Sequence, residues 1–457
     1  MKIGNLSKWL FLLAALITGF GWVPIGQATA QTFTTLYNFT WDSTSLGDLG
    51  LPGGLISSGS TLYGTTQYGG SQNGGTVYAI NTDGTGFTIL HSLAASDGEN
   101  PLGGLILSGN TLYGTTQNGG TSSNGTVFAV HTDGTGFRNL HSFTAIGMWG
   151  DSTNSDGAWP TLAGLILSGY ALYGTAHYGG IWGNGTVFAL NTDGTGFTNL
   201  YAFAGNDGRL PNAVVLSSGT LYGTTYEGGS NRVGTVFALK INGTGFTTLH
   251  SFATSDGGYP LGGLILSGNT LYGTTSSGGT NGTGAVFAVN TDGTGFRNLH
   301  SFAAGSGYYY FGLQDFTNSD GAGPWSTLIL SGNTLYGTAQ CGGANGTGTV
   351  FAVNTDGRDF TTLYSFTAIS SPSATNSDGA WPEAGLILSG DALYGTAACG
   401  GVWGGGTVFS LSPSPVTLPQ LTIVPSGPYV ILTWPTNTIG FTLQSTTIPG
   451  RPGDNCC

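Results

Sequence analysis

Aromatic residues gather in the segments where this sequence departs from an otherwise regular repeat. Flat rings with few charges nearby are suited to stacking on sugar rings, and neighbouring Asn, Asp and Ser side chains could bind hydroxyl groups. The alternative is that each ring packs its own loop against the rest of the fold. Because contiguous exposed aromatic residues favour binding, we predict a site for a glycan or a cell-surface partner. Its candidate residues are Trp149, Trp159, Tyr308, Tyr309, Tyr310, Trp325, Trp381, Trp182 and Trp403.

The acidic residues fall into two groups, of which only one repeats. An aspartate followed by glycine recurs shortly before a proline, where its side chain can accept hydrogen bonds from backbone N–H groups of the turn. These repeated positions, which we interpret as scaffold, are Asp97, Asp156, Asp207, Asp256, Asp320 and Asp378. The acids outside this pattern are Asp42, Asp48, Glu99, Asp151, Glu227, Asp315, Asp359, Glu383 and Asp391.

A catalytic pair of carboxylates would come from the second group, because one active site should break the symmetry of the repeat. Asp42, Asp151, Asp315 and Glu227 are predicted to lie on the same side as the aromatic loops, where two of them could act as acid and base on a glycoside. A polysaccharide hydrolase or lyase is therefore the alternative to a binding protein, and a structural spacer of the cell envelope is a third. Since no spacing requires such a pair, we assign no catalytic residue.

The histidines and the turns predict no metal and no cofactor. Histidine and tyrosine interchange at one repeat position, which favours packing over metal ligation; the residues are His91, His141, His250, His300, Tyr37, Tyr201 and Tyr364. The sequence has no zinc-ligand spacing, no nucleophile elbow and no phosphate-binding loop. Each NTDGTG turn holds one carboxylate, fewer than the several oxygen ligands that calcium needs.

These candidates are positioned by a module of four short apolar runs. One copy extends from Gly103 to Phe143 and reads GGLILSG, NTLYGTTQNGG, NGTVFAVHTDGTG and FRNLHSF. Alternation of apolar runs with Gly, Asn, Asp and Ser predicts four strands, a to d, joined by tight turns. Asp-Gly between strands c and d is a strong hairpin signal. The tyrosine of strand b recurs at Tyr63, Tyr113, Tyr173, Tyr222, Tyr272, Tyr336 and Tyr394.

The order of the strands predicts that the modules close into a ring. A four-stranded unit of about 50 residues matches a β-propeller blade, and such a sheet needs neighbours stacked on it. A copy of strand d, Phe33 to Phe39, precedes all other strands, whereas the last module, Ala384 to Leu411, lacks strand d. Pairing the two predicts an all-β, seven-bladed β-propeller of four-stranded antiparallel blades closed by the N-terminal strand. The alternative, an open solenoid, would leave the first strand unexplained.

The extra length of the sequence lies mainly in the connections from strand d to the next strand a. The longest are Thr144 to Pro160, Ala303 to Trp325 and Thr367 to Pro382. Because strand direction alternates, the d–a and b–c loops are expected on one face and the a–b and c–d turns on the other. Insertions on one face of a repeat array often mark the binding face.

The repeat itself resembles a known family. The runs GGLILSGNTLYGTT, NGTVFAVNTDGTGF and NLHSF are similar to the GloVer tandem repeat of bacterial "choice-of-anchor" exported proteins, over about Phe33 to Leu411. The resemblance implies export and surface display, with a C-terminal anchor that varies between members. It implies no established activity and no catalytic residues. The chain departs from the family at its end, where no sorting signal is recognisable.

The sequence outside the repeats predicts an exported chain. Residues 1–30 combine a positive start, an apolar run from Trp9 to Val23 and a small-residue cleavage site ending at Ala30, which is typical of a signal peptide. We therefore expect a secreted or cell-surface bacterial protein whose mature chain has no membrane span. The propeller is assigned to residues 31–411, a Pro/Ser linker to 412–420, and a truncated immunoglobulin- or fibronectin-like β segment of three strands to 421–457.

Composition argues against nucleic acid as a partner, because only 7% of the residues are charged, the formal net charge is −12 and no Lys/Arg run exists. We expect a monomer. Cys341 and Cys399 occupy equivalent positions in adjacent modules. A disulfide requires Cα atoms about 4.4–6.8 Å apart, so the sequence leaves both the bonded and the free state open.

Overall fold

The structure, a computed structural model, describes residues 31–40, 52–147, 152–160, 164–306, 316–371, 373–412, 422–426 and 429–433. Within these ranges the regular elements are β-strands, and no helix is long and apolar enough to cross a membrane. The chain divides into two compact units. One is Phe33–Pro413, and the other combines Met1–Thr32 with Ser414–Cys457. The predicted signal peptide, residues 1–30, lies outside the described residues.

The larger unit consists of seven four-stranded sheets, the blades, each antiparallel. The first strand of the chain is β1 (Thr32–Thr40). Blade 1 contains β2 (Ile56–Ser58), β3 (Thr61–Thr66), β4 (Thr76–Asn81) and β5 (Thr88–Ser92). Blade 2 contains β6 (Ile106–Ser108), β7 (Thr111–Thr116), β8 (Thr126–His131) and β9 (Arg138–Ser142). Blade 3 contains β10 (Ile166–Ser168), β11 (Ala171–Ala176), β12 (Thr186–Asn191) and β13 (Thr198–Ala202).

The remaining blades repeat the same order. Blade 4 contains β14 (Arg209–Ser217), β15 (Thr220–Glu227), β16 (Thr235–Lys240) and β17 (Thr247–Ser251). Blade 5 contains β18 (Ile265–Ser267), β19 (Thr270–Thr275), β20 (Ala285–Asn290) and β21 (Arg297–Ser301). Blade 6 contains β22 (Ile329–Ser331), β23 (Thr334–Ala339), β24 (Thr349–Asn354) and β25 (Thr361–Ser365). Blade 7 contains β26 (Ile387–Ser389), β27 (Ala392–Ala397) and β28 (Gly404–Ser412), and takes β1 as its fourth strand.

The core lies between blades rather than within them. Strands b and c are buried on both faces, as in β7 and β8, and the apolar clusters join residues of neighbouring blades, such as Tyr113 of blade 2 with Phe188 of blade 3. The glycine of strand b is required by this packing. A Cβ atom at Gly114 would lie 2.6 Å from Cζ of Phe128 on the paired strand, so any side chain there would displace the ring.

The ring closes through the first strand, as the sequence predicts. Strand order in the last blade is β1-β28-β27-β26, and the Val402 N–H donates a hydrogen bond to Oδ1 of Asn38 at 3.0 Å. Phe39 of β1 is fully buried, with its ring 5.5 Å from that of Tyr78 in blade 1. The protein is therefore a seven-bladed β-propeller in which the leading strand completes the trailing blade.

Adjacent blades are joined by one aromatic stack at every interface. A histidine or tyrosine of strand d lies parallel to the phenylalanine that starts strand d of the next blade. The pairs and their centroid distances are Tyr37–Phe87 at 4.0 Å, His91–Phe137 at 3.8 Å, His141–Phe197 at 3.7 Å, Tyr201–Phe246 at 4.1 Å, His250–Phe296 at 3.7 Å, His300–Phe360 at 3.6 Å and Tyr364–Phe33 at 4.0 Å. The interchange of histidine with tyrosine therefore reflects packing, as predicted.

The two faces of the ring carry the turns and loops that the alternating strand directions predict. On one side the a–b and c–d turns are hydrogen-bonded to each other, as Thr82 N to Ser60 O at 2.8 Å. On the other side the d–a turn bonds to the b–c loop, as Glu99 N to Asn118 O at 2.7 Å. We call the first side the hairpin face and the second the loop face.

The second unit contributes one described hairpin, formed by β29 (Thr422–Ser426) and β30 (Tyr429–Thr433). It coincides with the first two of the three strands predicted after the linker. The third, Gly440 to Thr447, lies outside the described residues.

Substitution Phe39→Ala is expected to lower the free energy of unfolding by about 3–5 kcal/mol, the usual cost of emptying a buried phenylalanine site. The matched change Leu388→Ala, on partly exposed β26 of the same blade, should cost about 1 kcal/mol or less. Chemical denaturation of both variants measures this difference. Equal midpoints for the two variants would show that closure by β1 contributes little.

Candidate functional site

The repeated aspartates of the loop face are scaffold, as predicted. Five of the six, all but Asp256, share a hydrogen bond with the histidine or tyrosine ring of strand d, which ties the d–a turn to that ring. Asp256 lies 3.2 Å from Nε2 of His250. In blade 2, Asp156 lies 2.9 Å from Nε2 of His141 and also accepts from the N–H and hydroxyl of Thr144. In blades with tyrosine the phenol donates instead, as Tyr201 to Asp207 at 2.5 Å. These carboxylates therefore orient the stacking rings and are not available as a catalytic pair.

Electrostatics at Asp156 agree with this role. Burial alone would raise the pKa of the carboxyl, but the hydrogen bonds from His141 and Thr144 outweigh burial, and the pKa lies below its ordinary value. The ionised form is thus the one that the loop face stabilises.

The candidate tryptophans Trp182 and Trp403 are exposed on the loop face, at equivalent b–c turns of blades 3 and 7. Trp182 is 59% exposed and Trp403 is 63% exposed, and the residues before them, Ile181 and Val402, are exposed as well. We call the dipeptides Ile181-Trp182 and Val402-Trp403 the tryptophan tips. Blades 1, 2, 4 and 5 carry two polar residues at this turn, and blade 6 carries Ala344 and Asn345.

The candidates Trp159 and Trp381 are partly buried at the base of the same two blades. Each precedes a proline and adopts a left-handed backbone, with φ of 56°, a conformation that is rare for a bulky residue. The backbone hydrogen bonds impose it: Trp159 N donates to Asn124 O of the preceding blade, and Trp159 O accepts from His177 N. Among the described residues, Nε1 of Trp381 has no hydrogen-bond partner.

The candidate Trp325 lies elsewhere, in the wall of a channel on the ring axis. The channel has a volume of about 390 Å³ and is lined by the segments that lead into strand a of all seven blades. Most of its wall is glycine and leucine. Trp325 of blade 6 and Glu383 of blade 7, each directly after the proline of its d–a loop, line the same channel. We call this end of the channel, at the loop face, the channel mouth.

Glu383 is a functional candidate that the structure adds. From the sequence it was only one of the acids outside the repeat pattern. Its Oε1 accepts from Nε2 of Gln340 at 2.8 Å, and burial raises the pKa of its carboxyl against the opposing effect of that bond. Comparison of the residue after each d–a proline would have identified it, because that position is acidic in blade 7 alone.

The cysteines Cys341 and Cys399 lie near this carboxylate and are both free thiols. Burial, and secondarily the charge of Glu383, raises the pKa of each thiol to about 12. Both are therefore protonated at neutral pH, which makes them weak nucleophiles.

The remaining candidates fall into two groups. The first group lies outside the described residues and comprises four aromatic candidates and three irregular acids: Trp149, Tyr308, Tyr309, Tyr310, Asp42, Asp151 and Asp315. Glu227 is described and forms an ion pair with Arg209, whose Nη1 lies 3.0 Å from Oε2. No group of three or more His, Cys, Asp and Glu side chains in the described ranges could hold a metal ion.

These features define a seven-bladed β-propeller with a symmetric scaffold and an asymmetric loop face. The chain belongs to the Gloeobacter/Verrucomicrobia repeat family, which matches residues 21–213, 148–314 and 313–424. The resemblance stated from the sequence is thereby confirmed. No curated protein matches the sequence significantly.

The chain is similar to several solved structures at low sequence identity. Oligogalacturonate lyase from Vibrio parahaemolyticus is 9% identical, with 84% of this chain and 97% of that chain covered and a TM-score of 0.49. The computationally designed Ika8 protein is 13% identical, with 79% and 96% covered and a TM-score of 0.45. The nidogen/laminin complex contains a chain 13% identical, with 66% and 92% covered and a TM-score of 0.39.

Substitution Asp156→Asn is expected to cost about 1–3 kcal/mol of unfolding free energy at pH 7, because buried groups lose a charged hydrogen-bond partner. The pKa of Asp156 is lowered on folding, so its contribution is present above the unfolded value of about 3.9 and is lost as pH falls through the folded value.

The difference between wild type and Asp156→Asn should therefore shrink below about pH 4, as measured by urea denaturation from pH 7 to 2.5. The control Asp391→Asn removes an exposed acid of blade 7 and should change little at any pH. A constant difference across the range would contradict the assigned role of the carboxylate.

Proposed function

We propose that this protein is an exported, non-catalytic β-propeller that binds a neutral glycan of a cell surface or matrix through its loop face. The observation that carries the proposal is the pair of exposed tryptophan tips. At the turn where blades 1, 2, 4 and 5 carry two polar residues, blades 3 and 7 carry an exposed aliphatic residue and an exposed tryptophan. A monomer that exposes such residues gains nothing in stability from them.

The surroundings of the tips favour a sugar over an apolar partner. Beside Trp403, the hydroxyls of Ser370, Ser373 and Thr375 form an exposed cluster with O···O distances of 2.8–3.1 Å. Gly404, next to that tryptophan, lies against the backbone of Ser373. An apolar ring beside several hydroxyls can contact the C–H face of a pyranose and its hydroxyl rim together.

Two separated tips favour a polymer over a single sugar. Blades 3 and 7 lie on well-separated sectors of a seven-membered ring, so one short ligand does not reach both tips. A chain that touches both would gain from effective concentration. We include three further points in this proposal. The chain is exported with cleavage of its signal peptide near Ala30, it is secreted or displayed at the cell surface, and it is a monomer.

The alternatives are distinguishable from it. The polysaccharide hydrolase or lyase is supported less, because the one described carboxylate of its candidate set, Glu227, is held by Arg209. A structural spacer of the cell envelope would need no exposed tryptophan at either tip.

We expect Trp182→Ala and Trp403→Ala each to weaken binding of a neutral polysaccharide about 2- to 10-fold, since one aromatic contact contributes about 0.5–1.5 kcal/mol. The double variant should lose more than either single variant. A glycan array identifies the polysaccharide, and titration calorimetry measures the affinities.

The matched control is Tyr170→Ala, which removes an aromatic residue that is 85% exposed on the hairpin face of blade 3. It should leave binding unchanged. Absence of binding across the array, or equal loss in the Tyr170 variant, would refute the proposal. Release of new chain ends by the wild type would establish the enzyme instead.

A further inference from the structure

The channel and its mouth combine three features that the glycan proposal does not use: a cavity on the ring axis, one aromatic ring in its wall and a carboxylate. The volume of about 390 Å³ falls in the range of about 300–1,000 Å³ typical of small-molecule sites. Leu102 and Leu261 line the channel directly after the prolines of blades 2 and 5. At the corresponding place in the adjacent blades 6 and 7 the wall instead has Trp325 and Glu383.

The carboxylate of Glu383 has no cationic partner among the described residues. The ion pairs in these ranges involve other acids, and no lysine or arginine lines the channel. Glu383 is partly buried, and a desolvated carboxylate without a counter-charge costs free energy that a bound cation would recover. The hydrogen bond from Gln340 at 2.8 Å fixes one oxygen of the group and holds it at the wall.

We propose that the channel mouth is a binding site for a small organic cation, with its ammonium group paired with Glu383 and lying against the ring of Trp325. Tryptophan is the side chain with the strongest cation–π attraction. The glycine and leucine residues of the channel wall would contact the carbon skeleton of the ligand, and none of the described lining residues is a lysine or arginine that would compete for Glu383.

The first test compares hexylammonium with hexanol, its neutral counterpart of the same chain length, by titration calorimetry on the full chain at pH 7. Hexylammonium should bind, and hexanol should bind about tenfold more weakly or not at all, since it cannot pair with the carboxylate. Equal binding of the two would overturn the proposal without the need for any variant.

The second test uses Glu383→Gln, which keeps the size of the side chain and removes its charge. It should weaken hexylammonium about thirtyfold or more. Trp325→Leu should weaken it about 3- to 30-fold and hexanol much less, because only the cation is attracted by the ring.

The control Glu99→Gln removes a carboxylate of the loop face outside the channel and should leave binding unchanged. If Glu99→Gln lowers the affinity as much as Glu383→Gln, the effect is one of net charge and the site is refuted. Neutral polysaccharide binding by the tryptophan tips should persist in Glu383→Gln, so that failure of either proposal is separable from the other.

Hexylammonium binding should also weaken as pH falls. Burial raises the pKa of Glu383, so the ionised form that pairs with the cation is lost through a higher range than for an ordinary glutamate. The titratable groups that face Glu383 are Cys341 and Cys399. Because the pKa of each thiol is about 12, both thiols stay neutral from about pH 4 to about pH 8 and do not contribute to the pH dependence. Affinity independent of pH over this range would contradict the assignment.

Discussion

The parallel stack between a strand-d ring and the phenylalanine of the next blade is the contact on which the fold depends. It recurs with centroid distances of 3.6–4.1 Å at all seven interfaces. Each such pair contributes about 0.5–1.5 kcal/mol beyond burial. Because β1 supplies Phe33 to one interface and Tyr37 to the next, the series has no open end and every blade is held on both sides.

The same ring also anchors the loop face. His141 stacks on Phe197 with its flat side and meets Asp156 with its edge, so one side chain couples blade packing to the position of the d–a turn. The loops beyond that turn begin from a fixed base. They can therefore vary in length and composition from blade to blade, as in blades 3 and 7, without disturbing the ring.

Breaks in the symmetry are where function is expected in such a molecule. A residue that recurs in every blade is explained by what all blades need, as the aspartates and the strand-b glycines are. The tryptophan tips and the pair Trp325 and Glu383 have no such explanation. The tips lie on the loop face, and the pair Trp325 and Glu383 lies at its channel mouth.

Much of this could be predicted from the sequence, because local rules and repetition decide it. Alternating apolar runs and Asp-Gly turns specify the blades, the orphan strand at Phe33 requires closure, and the interchange of His91 with Tyr37 indicates packing. Only the tertiary structure shows which of the candidate tryptophans are exposed and which are not. In the sequence Trp182, Trp325 and Trp381 are alike, but the first projects from a turn, the second faces the axis and the third is held in by a left-handed backbone. The physical reason is that exposure depends on which neighbouring blade meets a side chain, and that follows from closing the ring rather than from any local pattern.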